Sequence, residues 1–319
     1  MLGELSVPAC AAGYRELDVW AHALTRDTDQ ELVFGTPGCR ELKALSLCEH
    51  LQGQGRVVRE VERPRRAERR TGKSDRSDAL LAARRVFTSA GTSTPRAQGT
   101  RRALAALLIA QRSATGERTR LLNQLQALHV SAPVALRGRI GEGTGTLLER
   151  RLARMRARSN APLEERAIFQ VMRYLAARCR ALASAARGYE HQLAEITRSL
   201  DPTLLDEVGV GPISAAKLLV CDPARFESEA AFARCNGTAP LPASSGKTVR
   251  HRLSRGGDRQ VNNAIHTIAL SRSMHHPETR AYLDRRISEG KTKREAMRAL
   301  KRHLSRILFK RFAGVPLTS

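Results

Sequence analysis

An α/β domain followed by a mostly α-helical body is the fold class this sequence predicts, and three observations predict it. Across residues 2–61, short apolar strand-like runs alternate with stretches of helical spacing. From residue 101 onward, helical spacing is nearly continuous. A Gly-x-Gly-Pro turn at 209–212 then splits two apolar segments.

The opening segment reads as strand 2–7, helix 12–24 (Tyr14, Leu17, Trp20, Ala21, Leu24), strand 31–35, helix 41–52 and strand 56–61. Strands separated by helices need crossover connections, which makes the sheet parallel. Three strands are few for such a sheet, so the domain reads as entered partway through. Residues 75–87 form a helix behind a basic loop. Residues 101–130 carry Leu104, Leu107, Leu108, Leu121, Leu122, Leu125 and Leu128 at helical spacing. A small-residue loop at 138–145 precedes helices 147–158 and 163–200, which together read as a helical hairpin or coiled-coil spacer that packs on itself or on another subunit. Residues 261–312 are helical and basic.

Lys and Arg total 55 against 31 Asp and Glu, a formal net charge of +24 over 319 residues. Such an excess attracts polyanions at long range, with no sequence readout needed. No run of about 18 apolar residues is present, so no membrane-spanning helix is expected. No signal peptide is apparent, and the expected location is the cytoplasm, beside the nucleoid. Six scattered cysteines lack C-x-x-C spacing, which argues against zinc and disulfides. Aromatics are only 4%, so phosphate contacts rather than base stacking are the expected binding device.

Four patterns carry chemistry. Asp75 and Asp78 sit three residues apart and share a helix face, inside a collar of Arg63, Arg65, Arg66, Arg69, Arg70, Lys73 and Arg76. Paired carboxylates suit a divalent cation, yet acids in a first helical turn also favour the helix dipole with no metal. Gly209 and Gly211 permit a tight turn, and Pro212 suits the first turn of the next helix. That is a helix-hairpin-helix pattern, able to hold a DNA phosphate on backbone N–H groups, or an ordinary αα turn. Ser244 and Ser245 precede Gly246 and Lys247, then Arg250, Arg252, Arg255 and Arg259. A serine so placed is a nucleophile toward phosphodiesters, or merely part of a polar turn. Finally, Arg285, Arg286, Lys291, Lys293, Arg294, Arg298, Lys301, Arg302, Arg306, Lys310 and Arg311 form a basic C-terminal run that no acidic run of comparable size offsets.

Lys73-Ser74-Asp75-Arg76-Ser77-Asp78-Ala79 resembles the Asp-x-x-Asp end of the DEDD transposases of the insertion-sequence one-ten family. The Val208-to-Pro212 turn, Phe226, Phe232, Pro242-to-Thr248, Arg250-His251-Arg252-Leu253, Arg255-to-Gln260, His276-to-Tyr282 and Gly290-Lys291-Thr292 continue the resemblance. It implies an incomplete RNase-H/RuvC-like domain over 1–95, a coiled-coil dimerisation region over 96–200 and an α-helical transposase domain over 201–319. The implied activity is site-specific DNA recombination within a homo-oligomer, guided by an element-encoded bridge RNA. Ser245 is the implied nucleophile, with Ser244 as the alternative, and Asp75 and Asp78 are implied ligands for Mg²⁺. Gly209, Gly211, Lys247, Arg250, Arg252, Arg255 and Arg259 are expected to contact DNA.

Two departures qualify the resemblance. The family's first acid belongs on a strand ahead of residue 2, and its second, a Glu, belongs where this chain has Gly35-Thr36-Pro37-Gly38; Glu31 and Glu41 are out of place. With two of four acids absent, Mg²⁺ binding is expected to be weak. The copy is then N-terminally truncated or carries a misplaced start, and the alternative to an active transposase is a catalytically impaired remnant that still binds nucleic acid.

Overall fold

The computed structural model describes residues 3–25, 32–37, 42–61, 74–88, 92–93, 95, 99–242, 251–252, 254 and 256–313. It divides into two compact units, one of Met1–Gly99, Cys221–Ile265 and Ala281–Ser319, the other of Thr100–Val220 and His266–Arg280.

The first unit opens with α1 (Ala11–Thr25), β1 (Val33–Pro37), α2 (Leu42–Gly53), β2 (Val57–Val61), α3 (Asp75–Thr88) and β3 (Thr92–Ser93). β1 and β2 pair in parallel, Val33 opposite Val57, as a helical crossover requires. β3 adds an antiparallel edge, with Val61 opposite Thr92. Successive strand residues face opposite ways. Thr36 is buried, with its Oγ1 3.6 Å from Cys48 Sγ of α2. Its neighbour Gly35 faces α3, where an added Cβ would sit 2.6 Å from Val86 and 3.0 Å from the Ala82 carbonyl. Cys48, Leu51 and Val58 form the apolar centre under this sheet.

The expected strand at 2–7 does not form; residues 3–8 carry no strand. The segment packs along α1 instead. Gly3 lies beside Trp20, and Gly13 fits so tightly against the Pro8 carbonyl that a Cβ there would come within 2.2 Å. Glu4 pairs with Arg76 of α3 at 2.9 Å.

The second unit is built on α4 (Thr100–Ser131) and α7 (Leu163–Leu200), which pack along one another. Between them lie α5 (Val134–Ile140) and α6 (Thr146–Arg154), so the loop expected at 138–145 is helical at its start. Leu125, Leu136, Ile140, Leu148, Leu152, Phe169 and Met172 make one core. Arg139 pairs with Glu165 at 3.1 Å and covers the Phe169 ring, so a cation is held at the edge of this core. Arg118 pairs with the buried Glu149 at 3.0 Å. The long-helix spacer therefore buries its apolar stripe within the chain.

The remaining elements are a 3₁₀ turn at Leu204–Asp206, α8 (Pro212–Cys221), a 3₁₀ turn at Pro223–Arg225, α9 (Glu229–Cys235), β4 (Leu241–Pro242), β5 (His251–Arg252), α10 (Arg259–His275), α11 (Pro277–Ser288) and α12 (Lys293–Ala313). In the first unit, α12 packs on α9 and on the Pro223–Arg225 turn, with Phe232 against Phe226 and Phe309. There the Glu60 carboxylate of β2 meets Arg225 at 2.6 Å with both side chains buried. Burial opposes the Arg225 charge, but Glu60, together with Cys221 and Cys235, outweighs it and raises the guanidinium pKa.

Candidate nucleic-acid cleft and serine hairpin

Local backbone chemistry sets the serine hairpin. Ser228 starts α9 by accepting the Ala231 N–H at 3.2 Å, as an N-cap should. Past its end, Asn236 Oδ1 accepts the Thr238 N–H at 3.0 Å and turns the chain toward β4. β4 pairs antiparallel with β5, Leu241 opposite Arg252 and Pro242 opposite His251. Ser244, Ser245, Lys247 and Arg250 fall between these strands and outside the described residues, as does Arg255; for Arg252 only the backbone is described.

The hairpin returns through Gly257 at φ +85°, where a Cβ would lie 2.2 Å from the Cys235 carbonyl. Only glycine can pass there. Asp258 then caps α10, its Oδ1 accepting the Gln260 N–H at 2.8 Å. This accounts for the Gly-Gly-Asp-Arg run, and Arg259 is left exposed at the helix start.

Beneath the hairpin lies a buried polar chain. Lys301 of α12 donates from Nζ to Asn262 Oδ1 at 2.7 Å. Asn262 Nδ2 donates to the Asn236 carbonyl at 2.6 Å, and Asn236 Nδ2 to Ser305 Oγ at 2.8 Å. Lys301 is 9% exposed, and burial lowers its pKa. An ammonium held only by amide oxygen is costly, so its retention marks a structural demand at this spot.

A cleft of about 540 Å³ opens beside the hairpin, lined by Gly237–Pro240, His251 and Ser254 on one side and by α11 and α12 on the other. Its lining includes Arg286, Lys291, Arg298, Lys301, Arg302 and Arg306 against Glu289 and Glu295. Both acids have local duties. Glu295 closes a capping box with Thr292, whose N–H donates at 2.9 Å, and Glu289 holds Arg286 at 2.7 Å. Glu229, at the start of α9, takes both Arg302 and Arg306. Burial works against its charge, but the hydrogen bond and charge of Arg302, then those of Arg306, prevail and hold the carboxyl below its ordinary range.

The glycine turn sits in the second unit. Its first arm is a single 3₁₀ turn, Leu204–Asp206, rather than an α-helix. Gly209 takes φ +84° and lies against α10, a Cβ there falling 3.0 Å from the Ile268 carbonyl. Gly211 is open, and its carbonyl accepts from Ala215 at the start of α8.

Asp75 and Asp78 begin α3. Ser74 Oγ accepts the Ser77 N–H at 3.2 Å, and Ser77 Oγ accepts the Ser74 N–H at 3.3 Å. That reciprocal cap explains the Ser-Asp-Arg-Ser spacing as a helix start. Of the surrounding collar, Arg76 is described and pairs with Glu4; Arg63, Arg65, Arg66, Arg69, Arg70 and Lys73 lie outside the described residues, as do Glu31 and Glu41. Among the described residues, no three His, Cys, Asp or Glu side chains gather as a metal site. Among these residues, Asp75 and Asp78 thus offer two carboxylates without a third donor, a poor fit to a resident divalent cation.

The elements from the glycine turn through the hairpin to Tyr282 also carry a family signature. Residues 202–284 match the Transposase IS116/IS110/IS902 family. This stretch is similar to the transposase domain of that family. The "Insertion element IS110 uncharacterized 43.6 kDa protein" of Streptomyces coelicolor is 34% identical over 140 residues, covering 42% of this chain. The match spans 35% of that relative's length. The transposase-domain match includes the serine hairpin, α10 and most of α11, and ends before α12. No described helix is long and apolar enough to cross a membrane.

The sequence showed the basic residues of α12 as an unbalanced charge run, without saying which of them share a cleft. Sequence reasoning missed Glu229, the Lys301–Asn262–Asn236 chain and the Glu60–Arg225 pair. A signal for Lys301 existed: it adjoins Leu300 in the Ala296, Leu300, Leu304, Leu308 stripe that α12 buries.

Proposed function

We propose that this chain is a transposase that exchanges DNA strands through a serine nucleophile on the 243–250 loop. The observation that carries the reading is the transposase-family match over 202–284, which contains the serine hairpin, together with the cationic cleft beside it. In the proposed step, Ser245 Oγ attacks the phosphorus of a DNA phosphodiester. A serine–phosphate ester forms, the P–O bond to one deoxyribose breaks, and the departing hydroxyl takes up the serine proton. A hydroxyl of the incoming strand reverses the step and frees the serine. Lys247, Arg250, Arg252, Arg255 and Arg259 would offset charge on the phosphate during attack, and Gly209 and Gly211 would seat a neighbouring phosphate at the start of α8.

The Asp75–Asp78 pair is proposed as what remains of a RuvC-like Mg²⁺ site, and no step is routed through metal. The RuvC-like reading of residues 1–95 is supported by the parallel β1–β2 pair, and the 96–200 spacer by the packing of α4 on α7. The 201–319 transposase domain is supported by the family match. Guide RNA as a partner, homo-oligomeric assembly and a cytoplasmic, nucleoid-side location complete the proposal.

The test is Ser245→Ala in a strand-exchange assay with cognate DNA and guide RNA, read with a denaturing gel for a covalent protein–DNA adduct. Loss of both exchange and adduct, with DNA binding intact, is the expected result. Retained exchange sinks the assignment, and loss in Ser244→Ala alone transfers it to Ser244. A second reading, a nucleic-acid-binding remnant, is favoured by one observation: Asp75 and Asp78 serve a capped helix start, and among the described residues no third acid gathers to them. Wild-type protein that binds DNA yet yields no adduct would select it.

A further inference from the structure

We propose that the α11–α12 wall of the cleft is a stacking subsite for one unpaired nucleotide. The proposal rests on the reading of the chain as a nucleic-acid enzyme and extends it to residues outside the serine hairpin.

The wall holds an aromatic pair. Tyr282 of α11 and His303 of α12 stack with ring centroids 6.0 Å apart and 17° between planes. Both rings line the cleft, and His303 is exposed. The guanidinium carbons of Arg285 and Arg286 lie 5.6 and 5.7 Å from the Tyr282 centroid. Arg286 is in turn fixed by Glu289 at 2.7 Å, so the platform is braced before any ligand arrives. In a chain with only 4% aromatics, such a pair inside a cationic recess is a specific arrangement.

Charge nearby suits the backbone of the same nucleotide. Lys291 pairs with no carboxylate among the described residues, and Arg298 reaches Glu295 only at 3.8 Å. Arg302 and Arg306 are tied to Glu229. A phosphate would therefore meet Lys291 and Arg298 first, with a base on the adjoining rings. A base inside a duplex has its faces covered by its neighbours, whereas a base in a single strand or at a strand junction can stack on protein. A cleft of about 540 Å³ has room for a nucleotide but not for a double helix. Strand exchange has to generate unpaired nucleotides, as does any guide RNA loop, and both sources share this chemistry.

The experiment uses the full chain and three fluorescent probes of one sequence: single-stranded DNA, single-stranded RNA and duplex DNA, each carrying 2-aminopurine, at fixed salt. His303→Ala should weaken single-strand binding about tenfold or more and abolish the quenching of 2-aminopurine, while duplex affinity stays within about twofold. His303→Trp should restore both. His303 is exposed, so its replacement spares the fold; Arg286→Gln, which unbraces Tyr282, serves as the second variant. A loss confined to DNA or to RNA names the strand bound. Equal losses for single strand and duplex, or no loss in either variant, overturn the proposal. The readouts are binding and quenching, not strand exchange, so failure of the serine assignment leaves this test standing.

Discussion

Replacing Lys301 by Met tests the buried polar chain under the serine hairpin most directly. Met matches the length of the lysine stem but donates nothing to Asn262 Oδ1, 2.7 Å away. A buried acceptor left without its donor costs about 1–3 kcal/mol. Relief of the buried ammonium offsets part of this, so a net loss of about 1–2 kcal/mol is expected at pH 7. The sign of the pH dependence follows from the lowered pKa. Between that folded value and the unfolded 10.5, the unfolded chain binds the proton and the folded chain does not. Wild-type stability therefore rises with pH through this window, by at most about 1.4 kcal/mol per pH unit. Below the folded value the penalty for the buried charge is fully present and constant. Other groups titrating here do so in both proteins, so the difference between wild type and Lys301→Met isolates Lys301. Urea unfolding followed by circular dichroism from pH 7 to pH 10.5 should show the gap widening toward the alkaline end. A gap that stays constant across that range would mean that Lys301 is not held in a desolvated site, and the argument for the polar chain would fail.

Two further predictions concern ion pairs of the first unit. Glu60→Ala leaves Arg225 buried beside an empty partner and should cost about 3–5 kcal/mol in urea unfolding, with much of it regained in the double variant Glu60→Leu/Arg225→Met; a single-variant cost under about 1 kcal/mol refutes the buried pair. Glu229→Gln should cost about 1 kcal/mol at pH 7, because the three side chains keep partial contact with water. Since the folded carboxyl lies below its ordinary value of 4.5, this contribution is present above that value and should vanish as pH falls through the lower folded value. A difference that persists at pH 2 would place the effect elsewhere.

Helices declared themselves in the sequence wherever apolar spacing was long and unbroken. The expected 163–200 coincides with α7, and the expected 101–130 differs from α4 by one residue at each end. What failed depended on partners that spacing cannot name. Residues 2–7 alternate like a strand, but Gly3 and Pro8 find a closer fit on α1 than on the sheet. β3 is two residues long, too short for any period to show. The first arm of the glycine turn carries Leu204 and Leu205 like a helix end, yet it closes as one 3₁₀ turn. In the cleft, the charges of α12 were plain, but their division into Glu229-bound, amide-bound and carboxylate-free cations needed three elements brought together. Glu229 stands 73 residues from Arg302.

The acids at the start of α3 have to be weighed against the strand beside them. The resemblance implied a Glu at the end of the strand near Gly35, where this chain has Gly35-Thr36-Pro37-Gly38. In this fold Gly35 is the point where β1 comes closest to α3, with room for no Cβ before Val86 and the Ala82 carbonyl intervene. A glutamate could enter there only if α3 moved outward, taking Asp75 and Asp78 with it. The glycine at position 35 and the tight seating of α3 thus go together. The carboxylates that remain are doing what a capped helix start asks of them, with Ser74 and Ser77 closing the first turn around them. Restoring a single acid by mutation would overpack this contact, at about 1–3 kcal/mol, without assembling a metal cage. The proposed serine chemistry needs none of this, since the cleft beside the serine hairpin is underlain by the polar chain of Lys301, Asn262 and Asn236.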